Sequence, residues 1–199
     1  MHPHWTMPDD VRGLIFDCDG TLADTMPIHY RAWIKLLEPH GIRFTEERFY
    51  ALGGMPTSKI VRLLADESGV QVPCVDEMVR TKEQTFLTLL HQVKPISPVT
   101  TIASHQRGKR PMAVASGGYR RVVELTLRHI GVHDWFDATV CAEDTAKHKP
   151  EPDVFIEAAR RLQIPVESCV VFEDTEIGLE AARRAGSIAV DVRPWYGIA

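Results

Sequence analysis

No apolar run in this 199-residue chain approaches the roughly 20 residues a membrane-spanning helix needs. Nor does the amino-terminal Met1–Thr6 contain the apolar core of a signal peptide. The four cysteines, Cys18, Cys74, Cys141 and Cys169, are scattered without C-x-x-C spacing. They read as isolated thiols in a reducing compartment rather than a disulfide framework. The cytoplasm is the expected location. A net charge of −4 and a pI near 6.1 give no global electrostatic case for nucleic acid or anionic membrane as a partner. Internal repeats and low-complexity segments are absent, and no exposed apolar stripe stands out, so a monomer is expected. What remains is the composition of an ordinary globular protein, 44% hydrophobic and 25% charged, long enough for one domain or two small ones.

The strongest local signal is Leu14-Ile-Phe-Asp-Cys-Asp-Gly-Thr-Leu-Ala-Asp-Thr25. A short apolar run enters a glycine-containing polar turn, the pattern of a buried parallel strand and the loop at its carboxyl end. Open α/β sheets bind their ligands at that edge. Asp17 and Asp19, one residue apart, repel each other there and lose solvation, so they need a compensating cation or a shared proton. Mg²⁺ suits such a pair, because it prefers hard oxygen ligands. An isolated D-x-D is also a common acidic turn that merely caps backbone amides, so the rest of the chain has to decide.

Two patterns follow. From Met26 to Lys94 the apolar spacing is helical: Ile28, Trp33, Ile34 and Leu37 up to a stop at His40-Gly41, a helix capped by Thr45, another opened by Ser58 and closed at Gly69, and a last over 76–93. No strand is needed in that stretch. After Pro95-Ile-Ser-Pro98, strands and helices alternate. Strands are expected at Arg110–Ala115, Ala138–Cys141, Cys169–Phe172 and Ser187–Val192, joining the first over 11–16. Helices are expected at Val99–Arg107, Arg120–His129, Pro152–Leu162 and Ile177–Ala185. The expected fold is therefore α/β: a Rossmann-like parallel sheet core with helices on both faces, residues 1–25 and 96–199, plus an inserted α-helical bundle cap, residues 26–95.

Each chemically capable cluster follows an expected strand: Asp17/Asp19, Ser116-Gly117-Gly118, Lys147/Lys149 and Glu173-Asp174. Each has an ordinary reading by itself, as a serine cap, a solvated loop cation or an acid at a helix amino terminus. Four together at one sheet edge make a site. Ser116 with nearby amides and Lys149 would hold phosphoryl oxygens. Asp174 with Asp17 would hold a metal, and two aspartates would divide nucleophilic attack from proton transfer.

These residues resemble the haloacid dehalogenase superfamily of phosphotransferases. Phe16-Asp-Cys-Asp-Gly-Thr-Leu22 matches its nucleophile loop, Ser116 its second motif, Lys149-Pro150 its third and Glu173-Asp-Thr175 its fourth. The segments His29-Tyr-Arg-Ala-Trp33 and Lys149-Pro-Glu-Pro-Asp-Val-Phe155 are similar to the β-phosphoglucomutase-like branch. Within that branch the likeness is greatest to sugar phosphatases acting on fructose 1-phosphate and 6-phosphogluconate. The resemblance implies Asp17 as nucleophile and Asp19 as general acid/base. It implies Mg²⁺ held by Asp17, the Asp19 carbonyl and Asp174, with Glu173 in or beside that shell. Ser116, Gly117 and Lys149 would grip the phosphoryl group. Thr25 and the cap residues His29 and Lys82 would orient a small phosphosugar substrate, and the cap would flex near 24–27 and 94–98.

The resemblance leaves a β-phosphoglucomutase as the alternative activity. A mutase must also hold a second phosphate, for which that branch uses a cap arginine and a lysine after the second-motif serine. Thr57 and Tyr119 stand there instead, with Lys59 and Arg120 near enough to substitute. Hydrolysis is the favoured expectation.

Overall fold

The computed structural model describes residues 6–196. Met1–Trp5, part of the stretch considered above for a signal segment, lies outside the described residues. The chain opens with β1 (Gly13–Phe16), crosses into four helices, α1 (Met26–Leu37), α2 (Glu46–Ala51), α3 (Thr57–Ser68) and α4 (Val75–Leu89), and returns through α5 (Ser97–Gln106). Then come β2 (Met112–Ala115), α6 (Arg120–His129), β3 (Ala138–Val140), α7 (Asp153–Leu162), β4 (Cys169–Glu173), α8 (Glu176–Ala185) and β5 (Ile188–Asp191).

The strands form one parallel sheet in the order β3-β2-β1-β4-β5, with Phe16 opposite Val114 on one side and Phe172 on the other. Alternate side chains leave opposite faces. Leu14, Phe16, Met112, Val114 and Phe172 pack with Val99 and Ala103 of α5 and Val123 and Leu127 of α6. Ile15, Ala113, Ala115 and Val171 pack with α7 and α8 through Phe155, Ala158, Ala181 and Ala182. Because both faces are covered, these strands carry continuous apolar runs rather than an alternation. The fully buried Phe16 ring stacks on Phe172 at 4.7 Å between centroids, and burying such a ring stabilises the fold by roughly 1.5–3 kcal/mol.

Helices α1–α4 surround a separate apolar cluster that includes Trp33, Leu37, Phe44, Phe49, Val61 and Leu64. A smaller cluster joins Ile28, Ala32 and Phe86 to Ala23 and to Val122 of α6. The two chain crossings lie side by side: the Asp24 amide donates to the Lys94 carbonyl at 2.9 Å, and the Ile96 amide to the Leu22 carbonyl at 2.9 Å. Among the described residues, no helix is long and apolar enough to cross a membrane.

Element ends differ from expectation by up to four residues, for local reasons. Thr57 rather than Ser58 begins α3, and its hydroxyl turns toward α4 instead of capping. The helix expected over 76–93 runs Val75–Leu89 and then tightens to a 3-10 turn over Leu90–Gln92. The strand expected from Arg110 starts at Met112, since Pro111 has no amide to donate to a ladder.

Candidate active site

The carboxyl ends of β1, β2 and β4 meet at one edge, and the loop between β3 and α7 folds across them. Asp17 directly follows β1, Ser116 directly follows β2, and Glu173 closes β4. Lys149, from that loop, donates to Asp17 Oδ1 at 2.6 Å and to Glu173 Oε2 at 2.7 Å, and all three side chains are buried. Asp174 completes the group, and carboxylate oxygens of Asp17, Glu173 and Asp174 lie within 4.8 Å of one another. All four strand-end clusters contribute to this edge, but only one of the two lysines does: Lys149 is buried in it, whereas Lys147 is exposed.

Three carboxylates share one ammonium, and the electrostatics follow. Burial drives the Asp17 carboxyl up to about 8, with Lys149 pulling it down and Glu173 and Asp19 pushing it further up. Burial likewise lifts Asp174 well above the ordinary range, reinforced by the charges of Glu173 and Asp17. Lys149 moves the other way from what burial alone would do, because Asp17 and Glu173 stabilise its charge. Such a cluster fits a hard divalent cation, which would relieve the carboxylate repulsion that one lysine leaves uncompensated. Glu173 is the member least free to ligate. Its Oε1 accepts from the Asp174 amide, the Thr175 amide and the Thr175 hydroxyl, while Oε2 takes Lys149. Asp174 Oδ1 is steadied by the Thr21 hydroxyl at 3.0 Å.

Gly20 makes the tight turn possible. Its φ is +85°, and a Cβ there would fall 2.1 Å from Asp174 Oδ2. The turn leaves Asp19 facing the helical insertion, where the Thr25 hydroxyl donates to Oδ1 at 2.7 Å and His29 Nε2 lies 3.1 Å away. Lys82 Nζ sits 2.9 Å from His29 Nδ1. An ammonium only donates, so Nδ1 accepts and Nε2 carries the proton given to Asp19. The His29 ring is clamped by stacking on Phe86 at 4.0 Å. Burial would raise Asp19, but His29, Thr25 and Lys82 outweigh it and hold the carboxyl at about 2. Two adjacent aspartates thus differ widely, Asp17 pressed toward neutrality and Asp19 firmly ionised.

Ser116 is buried at the floor, its Oγ accepting from the Gly118 amide at 3.0 Å. Asp17, Asp19, His29, Lys82, Ser116 and Gly117 line one pocket of about 70 Å³. That is room for a few waters, not a sugar phosphate. Thr57 lines it too, as do two residues that sequence reasoning missed, Glu83 and the aromatic wall of Trp33. No spacing pattern marks Glu83. Successive helix residues normally diverge in direction, and only the roll of α4 brings Glu83 as well as Lys82 to the pocket.

Neither Lys59 nor Arg120, the two cations near enough in sequence to substitute in a second-phosphate grip, lines this pocket, and nor does Tyr119. Arg120 pairs with Asp144 and Glu124 and reaches the Thr139 carbonyl, away from the pocket lining. Tyr119 lines a different groove between α4 and α6. Lys59 is exposed and absent from the pocket wall. The Arg120 guanidinium is instead paired with Asp144, after β3, and with Glu124 of its own helix.

A model of haloacid dehalogenase-like hydrolases matches residues 11–186. The chain is 39% identical to the fructose-1-phosphate phosphatase YqaB of Escherichia coli (strain K12), across 91% of this chain and 96% of that protein. It is 27% identical to a beta-phosphoglucomutase of Bacillus subtilis (strain 168), across 92% of this chain and 83% of that one. In fold it is similar to the β-phosphoglucomutase (pgmB) of Clostridium difficile, with a TM-score of 0.83 at 21% identity over 95% of this chain and 88% of the other.

Proposed function

This chain belongs to the haloacid dehalogenase-like hydrolases as a phosphatase, and within that family we propose that it is a Mg²⁺-dependent enzyme hydrolysing small sugar phosphates of the fructose 1-phosphate or 6-phosphogluconate type through an aspartyl-phosphate. The observation that carries the reading is the pairing of unlike aspartates: Asp17 in the buried lysine–carboxylate cluster, and Asp19 two residues on, tethered to His29 and, through it, Lys82.

In the first half-reaction the ionised form of Asp17, which Lys149 favours, attacks phosphorus. A new oxygen–phosphorus bond forms, and the bond to the sugar oxygen breaks. Asp19 supplies the proton that oxygen needs. Asp19 is ionised in the free protein, so it first takes up a proton, from solvent or from the phosphate monoanion, as the charge of the incoming phosphate raises its proton affinity, and then gives that proton to the sugar oxygen. In the second half-reaction Asp19 takes a proton from water, which attacks phosphorus and frees Asp17. Ser116, the Gly117 amide and Lys149 hold the phosphoryl oxygens, and Thr25, His29 and Lys82 keep Asp19 aimed. Asp17, the Asp19 carbonyl and Asp174 would hold Mg²⁺, with Glu173 beside them; when bound, the ion neutralises charge on the transferring group. The small pocket supports a cap of residues 26–95 that parts from a core of residues 1–25 and 96–199 to admit substrate and then excludes bulk water. A monomeric, cytoplasmic protein completes the proposal.

A screen over sugar and polyol phosphates with Mg²⁺ tests the activity. Asp17→Asn should release no phosphate while remaining folded, and persistent turnover in that variant would discard the aspartyl-phosphate. The mutase alternative is tested with β-glucose 1-phosphate and a bisphosphate activator. Phosphate should outpace glucose 6-phosphate, and the reverse order would reassign the enzyme.

A further inference from the structure

Among the described residues lining the pocket, Lys82 is the one lysine or arginine. Its charge is already engaged, with Nζ 2.9 Å from His29 Nδ1 and 3.2 Å from Glu83 Oε1. Glu83 Oε1 also accepts from the Thr57 hydroxyl at 3.0 Å, and the side chain is 15% exposed. A carboxylate is therefore fixed on the cap wall of the pocket, opposite the core loops that carry Asp17 and Ser116. With the phosphoryl group at Asp17 and Ser116, as proposed above, this wall would face whatever that group is attached to.

We propose that Glu83 is a specificity-determining residue that selects monophosphates whose remaining end carries neutral hydroxyls, and rejects sugars bearing a second phosphate or a carboxylate. The inference rests on the phosphosugar reading above and deepens it. A fixed carboxylate is a strong acceptor for sugar hydroxyls. A second anion brought against it in a pocket that excludes water meets repulsion far stronger than in bulk solvent. Lys82 Nζ, 3.2 Å from Glu83 Oε1, offsets part of this repulsion, but it is held there and beside His29, so the incoming anion gains no free cation to pair with. Discrimination of this kind works by repulsion of the wrong ligand as much as by attraction of the right one. Of the two substrate types named above, this favours the fructose 1-phosphate type over 6-phosphogluconate.

The test compares kcat/KM within two pairs matched in ring form that differ at the far end: sorbitol 6-phosphate against 6-phosphogluconate, both open chains, and glucose 6-phosphate against glucose 1,6-bisphosphate, both pyranoses. In the wild type the neutral-ended member should win each pair by about tenfold, as expected for one like-charge contact that Lys82 partly offsets. Glu83→Gln keeps an acceptor for Thr57 and removes the charge, and both ratios should shrink by about tenfold. A ratio within one preparation is unaffected by the fraction of active protein. Thr57→Val, which frees the carboxylate to move, should shrink both ratios by a smaller factor. If Glu83→Gln does not fold, the wild-type ratios and Thr57→Val still decide. Wild-type ratios near one, or ratios unmoved in the variants, overturn the role of Glu83 while leaving the phosphatase reading standing. Failure of the wild type on every sugar monophosphate overturns that reading and this inference with it.

Discussion

Asp17 is held at a cost that its chemistry explains. Its carboxyl sits at about 8 rather than 3.8 because burial and the neighbouring carboxylates oppose its charge. In metal-free protein the folded state therefore keeps a proton that the unfolded chain has released between about pH 4 and pH 8, and stability falls as pH rises through that window. Asp17→Asn removes the titrating group and reduces the number of carboxylates sharing Lys149. Melted in EDTA at pH 8, the variant should exceed the wild type by ~1 kcal/mol or more, or about 2–4 °C. Its melting temperature should also vary less between pH 6 and pH 8. A variant that melts lower at pH 8 would show that the Lys149 ion pair outweighs the burial of the carboxylate. Asp19 illustrates the opposite case, since a fixed histidine and a threonine hydroxyl make its ionised form the comfortable one.

At the scale of elements, the site depends on how closely two loops approach. Gly117, in the turn after β2, faces the loop between α2 and α3 so tightly that a Cβ there would lie 2.5 Å from the Gly54 carbonyl oxygen. The obstacle is backbone, so the loops must separate. Gly117→Ala should leave the sheet intact, with a melting temperature close to that of the wild type, but lift the cap and draw His29 and Lys82 away from Asp19. The expected result is a loss of about 10–100-fold in kcat/KM, the scale of effect that small misplacements of a reacting group produce. Steady-state kinetics alongside a thermal melt would check it, and unchanged kcat/KM would mean the cap tolerates the displacement. The helix after β4 shows the same economy, with Thr175 capping the Gly178 amide while donating to Glu173, so one residue starts α8 and secures the site.

For the whole molecule, the sheet edge and the helical insertion are joined by two adjacent crossings and by the shared pocket. A cation bound by Asp17 and Asp174 binds the folded state alone, so it adds stability by mass action. At about 100 times its dissociation constant Mg²⁺ should contribute ~2.7 kcal/mol, or a rise of about 5–10 °C. Calorimetry with and without EDTA should show that rise in the wild type and its loss in Asp174→Ala. An EDTA-insensitive wild type would remove the metal from the scheme.

The strands and their polar ends were legible in the sequence because a sheet covered on both faces demands unbroken apolar runs, and chain direction then assigns every strand end to one edge. Helix stops at Gly41, Gly69, Gly131 and Gly186, all at positive φ, were legible for the same local reason. The capture of Arg120 by Asp144, the saturation of Glu173 and the presence of Glu83 in the pocket were not. The first and last depend on the roll of a helix or on a partner distant along the chain, and the saturation of Glu173 joins Lys149 to the turn of the next two residues, Asp174 and Thr175. The sequence by itself determined that two aspartates, a serine, a lysine and an acidic pair would share one edge of a parallel sheet. Only the tertiary structure decided which charges face the bound end of a substrate, because packing between elements sets the direction of a side chain and no local pattern encodes it.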